Sequence, residues 1–274
     1  MEPRIRDLIA AQLCRRQFVK AIAGGGAVIG SAVGAKKLNA TALQTESDPA
    51  EVEAGGSTAT AKHQWAFVVD LRLCEGCDKC TEACQKAHYL SPDQKWINVD
   101  RMTSPAGQEY FMPRLCMQCE NPPCARVCPV SATFKNEEGV VLVDQSICIG
   151  CRMCMAACPY EARYFNWDEP PAAPSLLAQP MPEFPVPQQQ GTVGKCILCV
   201  HNTMVGKLPA CVEGCPMGAL YIGDLEADVA TNGQETVKLS TFLRENDAVR
   251  YKEELGTRPR VFYILGHGQD YQYG

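Results

Sequence analysis

A chain of 274 residues, 46% of them hydrophobic, has enough apolar material for one large packed domain or two small ones. Its mild net charge of -5, with no basic patch interleaved with aromatics, excludes the footprint of a nucleic-acid binder. Aromatics make up only 7%, yet there are 17 cysteines, so something besides side-chain packing is expected to hold the fold together.

The N-terminus reads as a targeting segment. Cys14-Arg15-Arg16-Gln17-Phe18-Val19-Lys20 precedes an apolar, glycine-rich run from Ala21 to Ala35 and small residues ending Ala40-Thr41-Ala42. This resembles a twin-arginine signal over residues 1–42, with Cys14 where that pattern usually has Ser or Thr. Such a signal implies export of an already folded protein and cleavage after Ala42. The alternatives are an ordinary amphipathic helix, or a retained anchor, for which an apolar run of about 15 residues is short. Residues 43–62, with Gly55-Gly56-Ser57, read as a flexible linker.

Trp65 to Leu71 is β-prone and delivers the chain into the first cysteine group, Cys74, Cys77, Cys80 and Cys84. The second is Cys116, Cys119, Cys124 and Cys128, with Asn121-Pro122-Pro123 in its longer gap. A β-prone Gly139 to Val143 leads to the third, Cys148, Cys151, Cys154 and Cys158. Residues 169–190 are rich in Pro, Ala and Gln and should be extended and irregular, either a docking strap or a solvated loop. The fourth group is stretched: Cys196, Cys199, Cys211 and Cys215. Ala219 to Ile222 then reads as a strand, Ser240 as the N-cap of a short helix through about Arg244, and Asp247 as that of a second helix through Leu255. Gly256 fits the stop position, and Arg260 to Leu265 is a closing strand.

Sixteen of the 17 cysteines thus fall in four groups of four, each ending Cys-x-x-x-Cys, and Pro129, Pro159 and Pro216 follow the last cysteine in three of them. Gln85 takes that place in the first group, a departure expected to weaken nothing essential. Disulfides suit an exported protein, but cysteines two residues apart rarely staple distant segments. Zinc uses paired Cys-x-x-Cys knuckles and needs neither a third cysteine two residues on nor a fourth before proline. Iron-sulfur ligation accounts for both: three thiolates from one tight loop cap three corners of a cubane, and the fourth arrives from another run. Cys14 lies outside the groups and is assigned no role in the mature protein.

The spacing of all four groups, with Pro113-Arg114-Leu115-Cys116, Asn121-Pro122-Pro123-Cys124, Cys158-Pro159-Tyr160 and Lys195-Cys196, resembles the four-cluster electron-transfer subunits that accompany molybdopterin oxidoreductases. Small subunits of tetrathionate, polysulfide, thiosulfate, arsenate and dimethyl sulfoxide reductases and of formate dehydrogenase belong to that family, as do relatives serving membrane quinone subunits. The resemblance covers roughly residues 65 to 265. It implies that the first run pairs with the fourth and the second with the third. Cluster 1 would then be held by Cys74, Cys77, Cys80 and Cys215, and cluster 2 by Cys84, Cys196, Cys199 and Cys211. Cluster 3 would take Cys116, Cys119, Cys124 and Cys158, and cluster 4 Cys128, Cys148, Cys151 and Cys154. All sixteen positions are filled, so four 4Fe-4S clusters are expected.

Lys79, Arg114, Arg126, Arg152 and Lys195 stand near these ligands, where positive charge would raise a cluster's potential; the alternative for each is a solvated basic side chain. Asp78 and Glu120 would act oppositely. His63, His88, His201 and His267 lack ligand spacing and read as surface or packing residues, and Tyr160, Tyr164 and Trp167 as packing on the cluster loops.

The expected fold is α+β: two ferredoxin-like double-cluster modules, one inserted in the other, wrapped by short strands and helices. Residues 63–112 plus 191–223 form the first module, 113–168 the second, 169–190 a loop, and 224–274 a C-terminal extension packing on the core. Apo protein should be largely unfolded. The chain offers no nucleophile, base or nucleotide loop, so the expected function is electron relay rather than catalysis. The partners implied by the resemblance are a molybdopterin catalytic subunit and an integral membrane quinone-reactive subunit. The place implied is the periplasm or outer face of the cytoplasmic membrane, reached without a span in the mature chain. Two alternatives stay open: a quinone-linked membrane complex without molybdenum, of the sulfite-reduction-associated or alternative quinol-oxidising type, and a zinc-stapled exported interaction protein.

Overall fold

A computed structural model describes residues 63–169, 182–184 and 188–269. The twin-arginine segment, the 43–62 linker and most of the proline-rich 169–190 stretch lie outside the described residues.

The architecture is mixed helix and strand, organised on one six-stranded sheet. Its central strands are β1 (Trp65–Asp70) and β12 (Val261–Ile264), which pair in parallel, Phe67 opposite Val261 and Asp70 opposite Ile264. Antiparallel β8 (Leu220–Asp224) lies on the other side of β1, followed outward by β9 (Val229–Thr231) and β10 (Thr236–Lys238). The opposite edge is β11 (Val249–Arg250), antiparallel to β12. Side chains of a strand alternate faces. Phe67, Val69 and Leu71 therefore join Leu220, Ile222, Val261 and Tyr263 in the main core with the cysteine helices. Ala66 and Val68 join Tyr221, Phe262 and Ile264 in a second core, covered by helix α6 (Leu239–Glu245) through Leu239, Phe242 and Leu243. Burial on both faces explains why β1 reads as an unbroken apolar run rather than an alternating one.

The remaining strands form three two-stranded ribbons that hold the cysteine loops. They are β2 (Ile97–Thr103) with β3 (Glu109–Leu115), β4 (Thr133–Lys135) with β5 (Val141–Val143), and β6 (Tyr164–Phe165) with β7 (Val193–Gly194).

Two C-terminal expectations need correction. No helix runs from Asp247 to Leu255: Asp247 is left-handed at φ 46°, Val249 and Arg250 enter the sheet as β11, and only Glu253–Leu255 forms a single 3₁₀ turn. The free edge of β12 offers ladder hydrogen bonds that outweigh weak local helix propensity. Gly256 does end that turn in the left-handed conformation. Ser240 is not the N-cap of α6 but lies inside it, and Asp228 does the capping from outside, accepting from Ser240 N at 2.6 Å and Ser240 Oγ at 2.8 Å.

The C-terminal segment also clamps the second and third cysteine runs. Glu120 N and Asn121 N donate to Arg258 O and Thr257 O, Arg260 N donates to Met117 O, and Lys252 Nζ donates to Pro159 O. Among the described residues no helix is long and apolar enough to cross a membrane.

Candidate metal centres

Each cysteine run has the same local design. The residue before the second cysteine is left-handed in all four: Gly76, Gln118, Gly150 and Leu198. This conformation folds Cys-x-x-Cys back on itself so that both thiols face one side. In the first and third runs glycine supplies it without a Cβ; at Gly150 a Cβ would stand 2.1 Å from Gly191 O. In the second run Gln118 bears a strain of about 1–3 kcal/mol. It offsets this with two buried hydrogen bonds, Nε2 to Cys196 O at 3.0 Å and Oε1 from Val141 N at 2.9 Å. The first of these bonds also ties the second run to the fourth.

The third cysteine of every run is the second residue of a helix. The helices are α1 (Lys79–His88) with Cys80, α2 (Pro123–Arg126) with Cys124, α3 (Met153–Ala156) with Cys154 and α5 (Ala210–Glu213) with Cys211; α4 (Val200–Thr203) starts directly after Cys199. Where the third cysteine follows after only two residues, a left-handed Asp78 or Arg152 turns the chain into the helix; the longer gaps of the other runs let an extended Pro122 or Pro209 do so. After one turn Pro129, Pro159 and Pro216 stop the helix, and a left-handed residue three beyond the cysteine, Ser131, Glu161 or Gly218, sends the chain onward. The fourth cysteine closes both turns: Cys128, Cys158 and Cys215 each donate back three residues and accept from the residue three ahead.

Helix α1 packs on α5 and α2 on α3. Burial raises the pKa of Cys80 to about 12, reinforced by Cys215 and Cys74, and that of Cys74 also rises through burial, with Cys215 and Cys77 adding to it. Cys84 is pushed well up by burial and then by Cys196 and Cys199, and Cys211 by burial and then by Cys199, Cys84 and Cys196. Burial lifts Cys119 to about 12, followed by Cys116, with Cys124 and Cys158 contributing. Cys116, Cys119, Cys124 and Cys158 line one small hollow together with Tyr160 and Arg163. Burial raises Cys154 too, with Cys124 and Cys148 adding, and these three thiols share one packed cluster with Val141 and Val193. Cys128 differs: burial is outweighed by hydrogen bonds from backbone N–H groups of Thr133, Val130 and Ala132, and its pKa falls. Cys77 and Cys151 are exposed.

As free thiols these groups are buried and mutually repulsive on ionising, an arrangement that asks for a multiply charged metal centre to displace the protons. All sixteen cysteines of the described residues are unbridged, and no three His, Cys, Asp or Glu side chains among them converge closely enough to hold a single metal ion. Thiols spread around a hollow, rather than meeting at a point, fit a polynuclear cluster.

The basic residues singled out by sequence fare differently. Arg114 is taken up by Asp100 at 2.7 Å and Lys79 by Glu82 at 2.8 Å, while Arg126 is exposed and the exposed Arg152 lies over the rings of Phe165 and Trp167. Only Lys195 is buried at a ligand, donating to Val141 O and Cys196 O and opposing the burial that raises Cys196 to about 12. Glu120 is paired with Arg258 at 3.0 Å. Tyr160 packs as expected, its hydroxyl 2.5 Å from Thr257 Oγ1, and Tyr164 accepts from Asn98; Trp167 instead is 63% exposed.

Two residues at the thiols escaped the sequence. His88, at the end of α1, is fully buried with Nε2 3.1 Å from Cys199 Sγ, and burial and then His201 lower its pKa to about 3, so it is a neutral imidazole in hydrogen-bond contact with that thiol. Arg163 is buried against Cys124 and Cys154. Neither has ligand-like spacing; the missing proline at Gln85, which lets α1 run on to His88, is the one signal that pointed to the first.

Comparison with known proteins agrees with this chemistry. Two families, each described as a 4Fe-4S dicluster domain, match the chain, one over residues 107–173 and 176–225, the other over 73–132. The chain belongs to the family of 4Fe-4S dicluster iron-sulfur subunits of oxidoreductases. It is similar to a subunit of the selenate reductase of Mesobacillus selenatarsenatis, 39% identical over 73% of this chain and 72% of the relative. A subunit of the tetrathionate reductase of Salmonella typhimurium is 38% identical, over 74% and 73%. The iron-sulfur cluster-binding subunit of a menaquinone reductase of Nitratidesulfovibrio vulgaris is 35% identical, over 74% and 89%. The function of the chain is that of an iron-sulfur electron-transfer subunit.

Proposed function

We propose that the chain is a non-catalytic wire of four 4Fe-4S clusters with the ligand sets Cys74, Cys77, Cys80 and Cys215; Cys84, Cys196, Cys199 and Cys211; Cys116, Cys119, Cys124 and Cys158; and Cys128, Cys148, Cys151 and Cys154. The observation that carries this most directly is the hollow lined by all four thiols of the third set. Further support comes from the electrostatic grouping of Cys74, Cys80 and Cys215 and of Cys84, Cys196, Cys199 and Cys211. Packing of α1 on α5 and of α2 on α3 favours two nested double-cluster modules, 63–112 plus 191–223 enclosing 113–168. When bound, such clusters supply one-electron couples.

An order of the sets is supported by the thiols that sense a neighbouring set. Cys80 acts on Cys84 and Cys211, Cys116 on Cys196, and Cys124 on Cys154, which joins the first set to the second, the second to the third and the third to the fourth. The exposed cysteines, Cys77 and Cys151, belong to the first and last sets and mark where electrons enter and leave. Ile149, 63% exposed, and Met153 flank Cys151 with the apolar surface expected at a partner interface. The partners that suit the two ends are a molybdopterin catalytic subunit and a membrane quinone-reactive subunit. A second arrangement, a quinone-linked complex without molybdenum, is favoured by the likeness to the menaquinone reductase subunit. Export by a twin-arginine signal over residues 1–42 would place the chain at the outer face of the cytoplasmic membrane.

Metal analysis tests the wire: about 16 iron and about 16 acid-labile sulfide per chain are expected. Zinc without sulfide would replace it with the stapled interaction protein. Molybdenum in the isolated complex decides between the two partner sets, and an intact Met1 in the exported protein would refute cleavage after Ala42.

A further inference from the structure

Arg163 is a buried cation whose compensating charge is missing from the protein itself. It is only 5% exposed, and among the described residues no carboxylate lies in ion-pair reach of it. Its Nη1 donates to Thr133 Oγ1 at 3.1 Å, while Nη2 is buried without a hydrogen-bond partner. The ionisable groups that face it are thiols: Cys124 foremost, then Cys154 and Cys116. Burying a guanidinium with no carboxylate partner is expensive, and the side chains left for it to donate to are the thiols of Cys124 and Cys154. A protein keeps such a group where an anion completes it. Cys124 and Cys116 belong to the third proposed ligand set and Cys154 to the fourth. Arg163 also lines the hollow of the third set.

We propose that Arg163 is the shared counter-ion of the third and fourth clusters, setting the potentials of both together. This rests on the ligand sets proposed above. Each cluster becomes more negative on reduction, and a fixed positive charge between two of them favours the reduced form of both. Thr133 holds the guanidinium at that point, so the charge acts on the pair rather than on one member. The thiols that act most on Arg163 all come from the third and fourth sets, so the midpoints of the first and second clusters are expected to stay in place.

The test is potentiometric titration followed by electron paramagnetic resonance on anaerobically purified holoprotein carrying Arg163→Gln or Arg163→Lys, with iron and sulfide measured alongside. Arg163→Gln is expected to load fully and to shift two of the four midpoint potentials downward, leaving the other two in place; Arg163→Lys, which keeps the charge, should hold all four near the parent values. Loss of two clusters in the Gln variant with full loading and parental midpoints in the Lys variant would equally support a requirement for charge. Unchanged midpoints in Arg163→Gln, a shift of only one or of all four, lowered midpoints in Arg163→Lys, or iron loss in both variants would overturn the proposal. The ligand sets are tested separately: Cys124→Ser and Cys154→Ser should perturb different cluster signals. Should both perturb the same signal, the sets fail whatever Arg163 does.

Discussion

The helix after the first cysteine run continues for ten residues, from Lys79 to His88, whereas those of the second, third and fourth runs stop after four. One position separates them. Pro129, Pro159 and Pro216 cannot extend a helix, and each hands the chain to a left-handed turn; Gln85 can extend it, and its Nε2 instead ties the next loop through Pro92 O and Gln94 O. The extra turns carry His88 inward against Trp96 and onto Cys199. A proline therefore makes a ligand loop compact and self-contained, and its absence lets the same loop reach a cysteine 111 residues away. The expectation that Gln85 changes nothing essential misses this reach.

The most severe test of this contrast is to make the runs alike. Gln85→Pro removes a helical N–H and clashes one turn back, and should cost about 3 kcal/mol or more, read as a lower thermal midpoint. Pro159→Gln, by contrast, should be tolerated to within about 1 kcal/mol. Equal losses from both would show that the helix end is not what distinguishes the runs. Next in size, Gln118→Ala strands Val141 N and leaves Cys196 O with Lys195 alone, and should cost about 1–3 kcal/mol in denaturant unfolding.

His88→Leu preserves burial but removes the hydrogen-bond contact with Cys199. About 1 kcal/mol of stability is expected to go. More telling, one cluster potential should fall while three stay, because a hydrogen bond to a ligand sulfur favours the reduced state; four unchanged potentials would reduce His88 to packing. The smallest effect lies away from the thiols, at Asp224. Burial works against its ionisation but is outweighed by hydrogen bonds from Gln64 N, the His63 side chain, Glu226 N and Ala227 N, so its folded pKa is depressed. A depressed carboxylate contributes stability above its unfolded pKa of about 3.9 and loses it as pH falls through the folded value. Asp224→Asn should therefore lower stability at neutral pH by about 1 kcal/mol, less what solvent screening removes at this partly exposed pair, and flatten the acid limb below about pH 4. An unaltered acid limb would show that Asp224 does not set the acid sensitivity.

Features that depend on near neighbours in the chain were legible from the residues alone. Cysteine spacing, the glycines before Cys77 and Cys151, the prolines after Cys128, Cys158 and Cys215, and the apolar run of β1 express local steric and burial preferences, and in the folded chain they form loops, helix stops and a strand. Features that depend on distant partners waited for the folded chain. Val249 and Arg250 became a strand because β12 offered an edge, Gln118 holds a left-handed backbone because Cys196 and Val141 bond its side chain, and His88 met Cys199 because α1 packs on α5. Arg163 was invisible for the same reason. In the sequence it is one arginine among many, and its meaning comes from the thiols that burial gathers around it and the carboxylates that burial keeps away.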